Sequence, residues 1–151
     1  MTSEWSQLET SRHQDHVIAH VLGATALGHF VLDGAAHILL DIGFIWTIHI
    51  DGEMGLLTQS LSIKELDIEA EAQAELLADV DQLHEGSDTA GLKHISPATV
   101  ECLIKEVSFQ QSGQRRRILI KSEEGNLIAV VTSPETGEVQ IEQALASSSL
   151  A

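Results

Sequence analysis

Tyrosine is absent from this 151-residue sequence, and the remaining aromatic content is two Trp and three Phe. Such a chain lacks the stacked aromatic platforms on which single-stranded nucleic acids are held. Basic residues are also scarce: eight Lys and Arg against 23 Asp and Glu leave a formal charge of −15. That balance repels phosphate backbones and anionic lipid, so neither nucleic acid nor a membrane surface is an expected partner. The one cysteine, Cys102, has no intrachain partner for a disulfide, which fits a reducing compartment and a cytoplasmic location. The opening MTSEWSQLETSR has no basic segment leading into an apolar run and does not read as a signal peptide. The uncharged stretch from His16 to Leu32 is short for a membrane span and carries three histidines. A nucleophile elbow, a P-loop, a dinucleotide fingerprint and paired Cys-x-x-Cys motifs are all missing, which argues against the common nucleotide-dependent and hydrolase classes, and no cofactor is expected.

What the sequence does have is a histidine-rich, apolar stretch from His13 to Gly55, holding six of the eight histidines and no Lys or Arg. Ser11 and Gln14 have the spacing of a capping box, so a helix is expected to begin there. Val17, Ile18, Val21, Leu22, Leu27, Phe30 and Val31 continue at helical spacing, predicting a helix over 12–31 bent at Gly23 and Gly28. Asp33-Gly34 can be a hairpin turn or a helix boundary; with Ala35, Ile38, Leu39 and Ile42 following, the reading is a second helix over 34–42 stopped by Gly43.

From Phe44 to Ile50 the period changes to two, predicting a strand, and Asp51-Gly52 suggests a two-residue turn that sets Trp46 opposite Leu57 in a returning strand over 53–58. A third helix is expected from Ser62 or Asp67 to about His84, with its acidic residues on a solvated face. Residues 85–97 read as a linker. Four strand-like runs follow, 98–109, 115–122, 126–132 and 138–143, separated by short turn sequences and expected to form an antiparallel meander. The organisation is thus a polar arm over 1–10, one α+β domain over 11–143 and a flexible tail over 144–151.

Two helices, a short hairpin, a third helix and a four-stranded meander resemble, in element order, the cone-shaped fold of the nuclear-transport-factor-2-like superfamily. The resemblance covers most of the chain. It implies a curved sheet with the helices packed on one face, closing a pocket in which a histidine or aspartate would act on a small molecule.

Several residues carry chemistry. His13, His16 and His20 fall on one helix face, and the i, i+4 spacing of His16 and His20 lets two imidazoles share one metal ion, although the Glu of an H-E-x-x-H motif is missing. His29, Asp33, His37 and Asp41 recur every four residues and would make a polar stripe on an unbroken helix, able to bind a divalent metal or to pair an acid with a base. His49, on the first strand beside Asp51, is a further acid-base candidate, so His37, Asp41 and His49 are the catalytic candidates. Cys102 alternates with Val100 and Ile104 and reads as a buried, inert core residue. Arg115, Arg116 and Arg117 form the single basic cluster, read as an edge device or as partners for the acidic helix. The leading expectation is a non-enzymatic domain, acting as a homodimer, that binds a small apolar ligand or a partner. A cone-fold enzyme using His/Asp acid-base chemistry on a small apolar molecule, and a histidine metal-binding protein, are the alternatives.

Overall fold

The computed structural model describes residues 5–32, 34–85, 91–123 and 125–144, with the backbone alone over residues 99–102. The chain opens with a two-residue strand β1 (Ser6–Gln7) and a helix α1 (Arg12–Val21), and then four strands follow: β2 (Thr25–Leu32), β3 (Ala35–Leu40), β4 (Phe44–His49) and β5 (Met54–Thr58). Two helices, α2 (Gln59–Glu65) and α3 (Ala70–Glu85), lead to β6 (Ser96–Ser112), β7 (Arg115–Ser122), β8 (Leu127–Ser133) and β9 (Glu138–Ala144). All strand pairs are antiparallel and join in one nine-stranded sheet of order β5-β4-β3-β2-β6-β7-β8-β9, with β1 paired to β6.

This arrangement overturns the expected two-helix start, and with it the nuclear-transport-factor-2-like element order. Only the first ten residues of the long predicted helix are helical. The capping box forms as expected: the Ser11 hydroxyl accepts from the Gln14 amide at 3.1 Å, and the Gln14 side chain accepts from the Ser11 amide at 2.8 Å. The helix then stops before Gly23, whose φ is +87°. Residues 25–40, expected to finish one helix and form another, make the β2–β3 hairpin instead. Leu32 pairs with Ala35, and Gly34 just before Ala35 has the positive φ (+70°) that a tight hairpin turn favours.

Energetics explain why the strands win. A surface helix buries one stripe, whereas Ala26, Phe30, Ala35, Ala36, Ile38, Leu39 and Leu40 are all buried on the two faces of this hairpin. Each additional large side chain taken from water contributes roughly 1.5–3 kcal/mol. Helix propensities of ordinary residues differ by less than about 0.7 kcal/mol, so a few such side chains decide the outcome.

The strands present alternate residues to two separate cores. Ala36, Ile38, Leu40, Trp46, Ile48 and Met54 meet Ile104, Phe109, Ile118, Ile120, Ile128 and Val130 across the inside of the curled sheet, and Val17 and Val21 of α1 join them. The long β6 makes the curl possible: its first half pairs with β2 and its second half with β7, with register irregularities in both pairings. β9 comes to lie against β2 and β3. On the outer face of β2–β4, Phe30, Leu39 and Ile45 pack against Ile63 of α2, Leu76 and Val80 of α3, and Ile95. The indole N–H of the fully buried Trp46 has no acceptor among the described residues.

Smaller expectations are also corrected. Trp46 pairs with Leu56, one residue away from the predicted register, because the β4–β5 turn has three residues: the Gly52 amide bonds to the His49 carbonyl at 2.9 Å, and Gly52 has φ +88°. The third helix is two, broken between Glu65 and Ala70. The four C-terminal strands form a meander, though as a continuation of β2–β5 and not as a separate sheet. Among the described residues no helix is long and apolar enough to cross a membrane.

Candidate functional site

The region between α1 and the β4–β5 end of the sheet forms a cleft of about 330 Å³ lined by His13, His16, Val17, His20, Ile42, Phe44 and Leu56. It lies where the inner core runs out: Val17 belongs to that core and Leu56 packs against it. Phe44 continues the inward face of Trp46 and Ile48, while Ile42, in the β3–β4 turn, keeps 47 % of its surface exposed. The floor is therefore apolar, and one wall is a row of imidazoles from a single helix.

α1 is fixed against the sheet edge by two side chains. The Gln14 amide donates to the Gly52 carbonyl at 2.9 Å, and the His13 ring bonds through Nε2 to the Met54 carbonyl at 2.8 Å. A carbonyl only accepts, so Nε2 of His13 carries the proton. His16 and His20 are exposed, one turn apart, with ring centroids 5.3 Å apart and planes at 64°. The structure thus brings the three N-terminal metal candidates into one cleft. Among the described residues no group of three or more His, Cys, Asp or Glu side chains is arranged around one point as metal ligands would be.

The four-residue stripe is dispersed because its members lie on a hairpin. His29 and His37 are on opposite faces of the sheet; Asp33 lies outside the described residues. His37 is buried on the face covered by α2 and α3, bonded through Nδ1 to the Thr47 hydroxyl at 3.0 Å and stacked on Phe30 with centroids 4.7 Å apart. Asp41 is exposed and accepts the Thr25 amide at 2.9 Å, which ties the end of β3 to the start of β2. His49 is exposed at the end of β4. The catalytic candidates His37, Asp41 and His49 therefore stand in three different environments. The side chain of Cys102 lies outside the described residues.

His29 is 8 % exposed and sits on the opposite side of the sheet from α3, where the Gln143 side-chain amide of β9 donates to its Nε2 at 2.8 Å. Burial lowers its pKa below the ordinary value, so the neutral ring is the stable form there. It lines a second, more open depression of about 450 Å³ with His94, Ser96, Gln140 and Glu142. The basic cluster has a structural role: Arg115 and Arg117 lie over the Trp5 ring, at 5.4 and 4.5 Å from its centroid, and hold the N-terminal arm against β7. Burial opposes the charge on Arg117, and Glu142 partly offsets that.

One buried group escaped the sequence reading. Asp79 belongs by sequence to the acidic face expected to be solvated, but it is 2 % exposed, and its carboxylate accepts the backbone amides of Lys93, His94 and Ile95 at 2.7–3.2 Å. The signal was available: Asp79 stands three residues after Leu76 and four before Leu83, inside the apolar stripe of α3. Beside it, Glu75 pairs with Lys93 and His94 at 3.0 and 3.3 Å, which lowers the Glu75 pKa through the Lys93 bond first and raises that of Lys93.

Comparison with protein-family models, with curated proteins and with solved structures finds no match to this chain.

Proposed function

We propose that this protein is a non-enzymatic binding domain whose site, the cleft between α1 and the β4–β5 end of the sheet, takes a small, largely apolar molecule. The observation that carries this reading is the composition of the cleft: Val17, Ile42, Phe44 and Leu56 form an apolar floor within about 330 Å³. Ligand sites commonly span about 300–1,000 Å³ with apolar linings and a few polar groups that orient the ligand. His13, His16 and His20 supply those polar groups on one wall. Apart from Ile42 in its turn, the lining is helix and strand next to the inner core, so binding costs little further ordering. The catalytic alternative has less support, because His37, Asp41 and His49 do not converge.

The working form is a homodimer in the cytoplasm. The single cysteine supports the reducing setting, and outside the cleft Leu22, Val31, Leu61 and Leu77 are exposed apolar side chains that a second copy could cover. Light scattering behind size exclusion tests the dimer; a monomer at micromolar concentration removes that part of the proposal.

Titration with a neutral apolar fluorophore such as N-phenyl-1-naphthylamine tests the site, since a neutral probe avoids repulsion by the acidic surface. Saturable one-to-one binding in the micromolar range is expected, and Leu56→Trp, which fills the cleft, abolishes it while preserving the far-UV circular dichroism. Equal binding by the folded Leu56→Trp variant would refute the assignment.

A further inference from the structure

We infer that His16 and His20 form a two-imidazole site for a divalent transition-metal ion, Cu(II), Ni(II) or Zn(II), on the exposed wall of the cleft. The inference does not rest on what fills the cleft, because both rings reach solvent.

Spacing and geometry agree. Residues i and i+4 of an α-helix lie one above the other on the same face, so the two rings are neighbours on α1, with His20 in its last turn. A metal–nitrogen bond of about 2.0–2.1 Å plus about 1.1 Å from nitrogen to ring centre puts each centroid about 3.2 Å from a shared ion. Two such ligands at a tetrahedral angle have centroids about 5.2 Å apart, and at a right angle about 4.5 Å. The observed separation is 5.3 Å, with the rings edge to face at 64°. Both rings are exposed, so their side-chain torsions can turn to aim the nitrogens at one point.

Solvent exposure favours the site, because neither ring has to be extracted from a core before it binds. The formal charge of −15 raises the local concentration of divalent cations around the protein. His13, one turn earlier, has its Nε2–H committed to the Met54 carbonyl and is not part of the ligand pair. With two protein ligands, the ion keeps open positions for water or for a coordinating group on a molecule bound in the cleft, and the affinity order follows Cu(II) above Ni(II).

The test is calorimetric titration of the full, untagged chain with Ni(II) alone, repeated for His16→Ala, His20→Ala, His49→Ala and His84→Ala. Circular dichroism melts establish that each variant is folded; the four rings are exposed and their removal leaves the cores intact. One ion per chain is expected, weakened about tenfold or more in His16→Ala and in His20→Ala and within about twofold of the parent in the other two. The inference is overturned if no saturable binding occurs, if either His16→Ala or His20→Ala keeps the parent affinity, or if His49→Ala or His84→Ala loses as much.

Discussion

Replacing Asp79 by Ala removes an acceptor that holds the entry to β6 against α3. The carboxylate bonds to His94 N at 2.7 Å, Ile95 N at 3.0 Å and Lys93 N at 3.1 and 3.2 Å from its two oxygens. After truncation the buried Ile95 amide has lost this acceptor and is shielded from water, at a cost of about 1–3 kcal/mol, whereas the part-buried amides of Lys93 and His94 recover solvent and lose about 1 kcal/mol each. Ile95 itself contributes to the outer core with Leu76 and Val80, so loosening the segment also weakens that packing. Relief of the desolvation of a buried carboxylate offsets part of the loss, leaving a net destabilisation of about 3 kcal/mol. For a domain of this size that corresponds to a fall in melting temperature of about 6–12 °C. Asp79→Asn keeps one oxygen for His94 and Ile95 but turns an amide donor toward Lys93 N, and about half the loss is expected. Urea unfolding followed by circular dichroism measures both variants. An Asp79→Ala protein within about 0.5 kcal/mol of the parent, the range of an ordinary surface substitution, would contradict the anchoring role.

Two further substitutions probe other parts of the structure. At Gly28 an added Cβ would stand 2.8 Å from both the Ser96 carbonyl and Ile95 Cγ2, so Gly28→Ala must push β2 away from the start of β6; a loss of about 1–3 kcal/mol in urea unfolding is expected, and no loss would show that the two strands approach less closely than described. At His29 burial lowers the pKa, so below the unfolded value of 6.5 the unfolded chain binds the extra proton more readily than the folded one. The stability contributed by the neutral ring is therefore complete above pH 6.5 and is lost as pH falls toward the folded pKa, with a slope of at most about 1.4 kcal/mol per pH unit for one proton. His29→Gln should flatten the dependence of the urea midpoint between pH 7.5 and 5.5, and an unchanged slope would refute this account.

The C-terminal meander was legible because its strand-like runs are separated by strong turn sequences; Gly113 and Gly137, with φ of +63° and +74°, stand in two of those turns. The first half was not, for a physical reason. β2 and β3 lie between two cores, so apolar residues occupy both faces and the period-two signal vanishes into a run that also matches a helix. The choice between a helix boundary and a hairpin between Leu32 and Ala35 was then decided by tertiary burial. The single-residue error at Trp46 came from assuming a two-residue turn where Gly52 completes a three-residue one. In the candidate site, the shared face of His13, His16 and His20 followed from helical spacing alone. Ile42, Phe44 and Leu56 meet those histidines only through the packing of α1 across the end of β4 and β5, which no local pattern encodes.

The most direct test of the binding cleft is an NMR titration of the isotopically labelled protein with the neutral apolar probe, following backbone amides and histidine ring resonances. The account predicts saturable shifts that cluster on His13, His16, Val17, His20, Ile42, Phe44 and Leu56 and leave the depression around His29 and Glu142 unchanged. Shifts centred on His29, Gln140 and Glu142, or no saturable shifts at all, would contradict it.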